Sequence, residues 1–203
     1  MSAKLDYQKT FKQLYRPPLE PVIVDVPPLN YLMLDGHGDP NTSQEYQQAV
    51  PILFQFAYAL KFAVKKSLGI DYGVLPLEGL WWVEKLDELD MIDRRNWLWT
   101  SMIMQPEHVT PELVEELRPQ VLKKSGLPAV TRVRYERYTE GCVVQMKHVG
   151  HFSTEMPNVE RMHAFARSQG YQLRGKHHEI YISDFRRTAP ERLQTVLRQP
   201  VEK

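Results

Sequence analysis

Cysteine is almost absent from this 203-residue chain, where Cys142 stands alone. No disulfide can form within it, which fits a reducing compartment. Cys142 opens the apolar run Cys142-Val143-Val144-Gln145-Met146 and reads as a small buried hydrophobe rather than a reactive thiol. Long apolar runs are also missing, with none approaching the ~20 residues of a membrane-spanning helix. Residues 1–15 are polar and mixed in charge, unlike a signal peptide. Neither sign of charge dominates: 26 Lys and Arg face 25 Asp and Glu. That balance argues against nucleic acid or an anionic membrane as partner. The expectation is a cytoplasmic protein.

Metal-binding patterns are scarce as well. His148, His151, His163, His177 and His178 come without cysteine partners or ligand spacing. Adjacent His177 and His178 on a strand would point to opposite faces. Asp35-Gly36-His37-Gly38 matches no nucleotide-binding pattern and reads as part of a loop, Asp35 to Pro40. No metal and no cofactor are expected. Arg186 and Arg187 read as a surface ion-paired set.

Aromatic residues, by contrast, are plentiful: four Trp, ten Tyr and seven Phe, with every Trp between Trp81 and Trp99. Two glutamates sit in similar apolar, aromatic settings. One is Glu78 in Pro76-Leu77-Glu78-Gly79-Leu80-Trp81-Trp82, the other Glu179 in His177-His178-Glu179-Ile180-Tyr181-Ile182. A carboxylate in such a strand is costly to bury without a partner, so both are candidates for function. The bland alternative for each is a salt bridge, with Arg186 or Arg187 nearest to Glu179.

Residues 1–20 read as an N-terminal tether or short helix. Strands are predicted over Pro21–Val26 and Asn30–Gly36, with Pro27-Pro28 as a corner. Thr42-Ser43-Gln44-Glu45 fits a capping box, opening a helix to about Leu68 that Gly69 stops. A strand from Tyr72 to Trp82 follows. Glu84 to Arg95 reads as a connection, and Asn96 to Gln105 as an amphipathic strand. Thr110-Pro111-Glu112 starts a helix to about Lys124. Strands over Val130–Tyr138 and Cys142–Val149 flank the turn Thr139-Glu140-Gly141. A helix over Glu155–Gln169 and strands over His177–Asp184 and Leu193–Val201 complete the pattern.

The second half repeats the grammar of the first. Leu34-Asp35-Gly36-His37-Gly38 parallels Met146-Lys147-His148-Val149-Gly150, each ahead of a helix that leads to one of the two glutamates. The fold expected is α+β: a duplicated β-α-β-β unit and an antiparallel sheet with two long helices on one face. A ligand cleft is expected between the pseudo-symmetric halves. The half-repeats run over about 21–125 and 128–203, within one domain at 21–203.

His177-His178-Glu179-Ile180-Tyr181-Ile182-Ser183-Asp184 with Arg186-Arg187-Thr188 resembles the C-terminal signature of the GyrI-like small-molecule-binding family. So do Tyr31-Leu32-Met33-Leu34-Asp35-Gly36-His37-Gly38-Asp39-Pro40, the Pro76–Trp82 segment, and Pro190-Glu191-Arg192-Leu193 with Thr195-Val196. The resemblance runs from about residue 20 to the end. It implies a duplicated strand–helix–strand–strand unit of the kind found in effector domains of multidrug-responsive regulators. There, a buried glutamate and aromatic rings hold lipophilic, often cationic, molecules. With no helix-turn-helix extension, the chain is similar to the stand-alone type, part of which resembles hydrolases that open cyclopropane-bearing DNA-alkylating natural products. The family pattern carries over to Glu78, Trp81 or Trp82, Glu179 and Tyr181.

Strand alternation puts His177, Glu179, Tyr181 and Ser183 on one face and His178, Ile180 and Ile182 on the other. Pattern alone leaves open whether the glutamate face lines a cleft or meets solvent. Two carboxylates across an apolar cleft would repel and be desolvated, leaving one protonated near neutrality. As a hydrolase, the protein would use Glu78, Glu179 and Tyr181 catalytically: one glutamate activates water, while Tyr181 or the other acid donates to a developing oxyanion. Trp81, Trp82, Trp97, Trp99 and His177 would contact a lipophilic, aromatic or cationic ligand. The alternatives are a non-catalytic drug-sequestering protein or a gyrase-inhibitor-like interaction protein, and composition indicates no particular protein partner.

Overall fold

The computed structural model describes residues 4–84 and 94–203, so most of the Glu84–Arg95 connection lies outside the described residues. The fold is α+β with antiparallel strands, as expected. The chain divides into two compact units. The first comprises Met1–Tyr7, Leu29–Leu77 and Trp81–Tyr138; the second comprises Gln8–Pro28, Glu78–Leu80 and Thr139–Lys203.

In the first unit, β2 (Leu29–His37) pairs antiparallel with β4 (Leu98–Gln105) on one side and with β5 (Arg134–Tyr138) on the other. The long helix α3 (Gln44–Leu68) buries Ala49, Ile52, Leu53, Phe56, Ala57, Leu60 and Val64, a stripe at the three-and-four spacing of one helical face. It starts one residue later than the capping-box reading: Ser43, not Thr42, is the cap, accepting from the Tyr46 backbone N–H. Glu45 is drawn away from a reciprocal cap to His37 and Arg132. Gly69 ends the helix in the left-handed conformation, φ 70°. Helix α4 (Pro111–Ser125) begins with Thr110 capping Leu113 and ends at Gly126, also left-handed.

In the second unit, β6 (Gly141–Val149) lies between β1 (Val22–Val26) and β9 (Gln194–Glu202). On the far side of β9 are β8 (His177–Tyr181) and the short β7 (Gln172–Leu173). Helix α5 (Met156–Ser168) packs Met162 and Ala166 on Val144, Met146, Leu197 and Val201. Cys142 packs against the same cluster, as a small hydrophobe would.

The repeat is visible in both units. β2 is followed by a long helix and pairs with β4; β6 is followed by α5 and pairs with β9. The half-repeat boundaries need correction, however, because two strands are exchanged. β1 precedes β2 but pairs with β6, and β5 precedes β6 but pairs with β2. Of the two readings of the N-terminal segment, tether and short helix, the helical one holds. The segment forms α1 (Tyr7–Thr10) and α2 (Lys12–Tyr15), and Leu14 and Tyr15 are buried.

Three strand readings are shortened. Of Tyr72–Trp82, only Glu78–Trp82 is strand, β3; Pro76 has no N–H for a ladder. Of Val130–Tyr138, the start is a 3-10 turn over Pro128–Arg132. The strand after His177 stops at Tyr181 rather than Asp184. Where the strand reading to Gly36 and the loop reading from Asp35 overlapped, the strand prevails and runs one residue further: Asp35, Gly36 and His37 pair with Thr100, Trp99 and Leu98 in β2. Gly36 is there because the buried Trp99 indole lies across it: a Cβ would overlap the ring carbons of Trp99. Gly36→Ala should therefore cost about 1–3 kcal/mol through overpacking, read as a lower urea midpoint with unchanged m-value. An unaltered midpoint would show that the indole can move aside.

Candidate functional site

β8 is the strand on which the chemistry converges, and its two faces carry different groups. Cross-strand register sets His178 opposite Arg198 on β9, and Arg198 opposite Gln145 on β6, so these three form one row on one face of the sheet. The next row, Glu179–Leu197–Met146, lies on the other face, which α5 covers through Met146 and Leu197.

The His178 row forms a buried charged network. The His178 ring is fully buried, with Nε2 3.0 Å from Glu78 Oε2 and Nδ1 3.0 Å from Glu140 Oε1. Arg198 donates from Nη1 to Glu140 Oε2 at 2.8 Å, from Nε to Gln145 Oε1 at 3.1 Å and from Nη2 to the Leu14 carbonyl at 3.1 Å. The Tyr15 hydroxyl donates to Glu78 Oε1 at 2.9 Å, and Gln145 Nε2 donates to the Gln13 carbonyl at 2.6 Å. Helix α2 thus covers this face with its polar groups engaged.

Ionised carboxylates only accept, and an imidazole donates from both nitrogens only as imidazolium. The arrangement therefore fits alternating charge: Glu78 negative, His178 positive, Glu140 negative, Arg198 positive. Burial alone would raise the Glu140 pKa, but the charges of His178 and Arg198 outweigh it and bring it down to about 2. Burial alone would lower that of His178; the Glu140 charge, with hydrogen bonds to Glu140 and Glu78, outweighs burial and the opposing Arg198, leaving it raised.

On the opposite face, the Tyr181 hydroxyl donates to Glu179 Oε2 at 2.8 Å. Two residues apart on a strand, both side chains share a face. Only 10% of the Glu179 side chain is exposed, while Tyr181 is half-buried. His177 Nε2 lies 3.7 Å from Glu179 Oε1, too long for a hydrogen bond. Burial and the neighbouring His163 and His178 lower the His177 pKa. Phe152 meets the Tyr181 ring edge-on, with centroids 5.6 Å apart. Arg186 holds Asp184, and Arg187 lies 3.8 Å from it; neither is paired with Glu179.

The expected tryptophans gather in the first unit, where Tyr46 lies 5.8 Å from Trp81 and 5.1 Å from Trp99, and Trp81 lies 5.9 Å from Trp97. Trp99 is the innermost, at 1% exposure, and Trp82 is half-buried. The two glutamates, expected to confront each other, do not: Glu78 meets His178, which projects from the face of β8 opposite to Glu179. Glu78 has no exposed surface, and its oxygens are held by Tyr15 and His178.

Sequence reasoning missed Tyr15, Glu140, Gln145 and Arg198. Glu140, read as a turn residue, is 2% exposed. Arg198 carried a usable signal, since it stands within the apolar run Val196-Leu197-Arg198-Gln199-Pro200-Val201. The cost argument applied to Glu179 applies equally to it. Among the described residues, no group of three or more His, Cys, Asp and Glu side chains is placed to hold a metal ion, and no helix is long and apolar enough to cross a membrane.

These charges predict a pH dependence of stability. Glu140 is depressed, so its contribution is present above the ordinary carboxylate value of 4.5 and lost as pH falls towards about 2. His163 and His177 are lowered by burial, so forcing protons onto them adds a loss that begins below 6.5. His178 is raised, so its contribution is complete below 6.5 and lost as pH rises through its folded value. Stability should peak near pH 6.5 and decline on both sides. Urea midpoints followed by circular dichroism from pH 3 to 9 test this, and a midpoint still rising from pH 6.5 to 9 would contradict it.

The description of the GyrI-like small molecule binding domain matches residues 19–202. The chain belongs to the GyrI-like family. Three solved structures from Listeria innocua are similar to this GyrI-like protein, each match covering 98% of this chain and 100% of the other. One is an uncharacterized conserved protein, at 42% identity and TM-score 0.91. The others are described as hydrolases, at 41% and 39% identity with TM-scores of 0.88 and 0.85. No curated protein matches the GyrI-like chain.

Proposed function

We propose that the protein binds lipophilic, aromatic small molecules and hydrolyses activated cyclopropane rings, with Glu179 and Tyr181 at the reacting centre. The observation that carries this reading is the Tyr181–Glu179 hydrogen bond of 2.8 Å on the half-buried face of β8. It pairs an acid able to take a proton with a phenol able to donate one. Glu179 accepts a proton from water as the water oxygen attacks a ring carbon. The ring C–C bond breaks and its electron pair moves into the conjugated carbonyl. Tyr181 donates to the oxygen where that negative charge gathers. Carbon then takes up a proton, and water has been added across the opened bond. Small-molecule binding in the family and two similar proteins described as hydrolases support the assignment.

The test is incubation with a cyclopropane conjugated to a ketone in many-fold excess, with ring-opened product counted by chromatography. Many equivalents of product per protein support the hydrolase. Protection of one equivalent without product supports sequestration instead, and neither binding nor product sinks both.

A further inference from the structure

The buried network is far from idle scaffolding. From it we infer that His178 is a positioning residue for Glu179, held in place by the carboxylates of Glu78 and Glu140 with Tyr15 and Arg198 behind them; the inference rests on the reading of Glu179 given above. His178 and Glu179 are consecutive residues of the five-residue strand β8. A shift of the strand that displaces one displaces the other, although their side chains leave opposite faces of the sheet.

The groups facing His178 come from every element around it: Glu78 from β3, Glu140 from the turn before β6, Arg198 from β9 and the Tyr15 hydroxyl, through Glu78, from α2. His177 adjoins it on the strand. As imidazolium, His178 satisfies two carboxylates 3.0 Å away on either side. As neutral imidazole it can donate to only one of them. The other nitrogen then presents a lone pair to a carboxylate oxygen at hydrogen-bond distance, between side chains with almost no exposed surface. Ring or carboxylate must move, and β8 must move with the ring. The Glu179–Tyr181 pair on the reverse side loses its alignment without either residue being touched. Glu78, expected from sequence to act on the ligand, is thereby assigned an indirect role suited to its lack of exposed surface.

The experiment uses full-length protein labelled with 15N-histidine and 13C-tyrosine. His178 nitrogen shifts are titrated beside kcat and KM for the conjugated cyclopropane, over a pH range where circular dichroism shows the chain folded. Both His178 nitrogens should be protonated at pH 7, and kcat should fall on the alkaline side along the His178 titration while KM changes less than about twofold. Glu140→Gln should move His178 and the kcat limb to lower pH together, about tenfold in kcat at a fixed alkaline pH for each unit moved. Glu140→Asp, which keeps the charge, should restore much of the shift. Should Glu140→Gln not fold, Glu78→Gln removes the other carboxylate and is expected to act with the same sign. A neutral His178 at pH 7, or a kcat limb that stays while His178 moves, overturns the inference. If the wild type fails to turn over the probe, the function reading fails by itself. The Tyr181 13Cζ shift then decides: an inflection with His178 supports the coupling, and a flat signal overturns it.

Discussion

Arg198→Met is expected to lower the free energy of unfolding by about 3–5 kcal/mol, the usual loss when one partner of a buried ion pair is removed. Arg198 is 1% exposed and donates to Glu140, Gln145 and the Leu14 carbonyl. Methionine fills much of the space but donates to none of them. Glu140 is left with His178 and a contact from Arg174 to its backbone carbonyl. A loss of this size is a large part of the roughly 5–15 kcal/mol that holds an ordinary domain together. The double variant Arg198→Met with Glu140→Gln should be less damaging than the sum of the two singles, because the stranded charge is gone. Urea unfolding of the four proteins in this cycle provides the measurement. A single-variant cost below about 1 kcal/mol would mean that water or rearrangement replaces the guanidinium.

The second large effect concerns the reaction. Glu179→Gln should reduce kcat for the conjugated cyclopropane by about 10²–10⁴-fold, the range for loss of a general base. The amide is close in shape and can still accept from Tyr181, so stability and probe affinity should change little. Tyr181→Phe removes the donor aimed at the developing oxyanion and should cost about 10²–10³-fold. Because the two act on the same charge shift, their combined effect should be less than multiplicative. Wild-type turnover in Glu179→Gln would take the acid out of the mechanism, whereas loss of both turnover and binding would recast it as a ligand anchor.

What could be read before folding follows the range of each interaction. Helix α4 begins and ends where Thr110 and Gly126 place it, because capping is settled within one turn. The pairing of Glu179 with Tyr181 on one strand face followed from alternation alone. Gly36 was read both as a strand end and as loop because the indole that demands it, Trp99, is distant in the chain. The Glu78 carboxylate was recognised as costly, but its partners, Tyr15 and His178, are set by register across several strands and by an N-terminal segment read as a tether or short helix. Pattern could not decide which face of β8 was open: the His178 side is sealed by Glu78, Glu140 and Arg198, all distant in the chain, while Tyr181 on the other side stays half-buried. The exchange of β1 and β5 was invisible for a related reason. Alternation describes which way a strand faces, not which neighbour it joins.

That exchange bears on how the protein is made. The first unit needs β5, which ends at Tyr138, and the second needs Gln8–Pro28 at one extreme and β9 at the other. Neither hydrophobic core can close while the nascent chain is only half synthesised, so early segments must wait on the ribosome with apolar strands unpaired. Severing the gene near residue 126 would yield two polypeptides, each lacking a strand retained by the other. Slow, all-at-once acquisition of structure is the kinetic counterpart of so interleaved a connectivity.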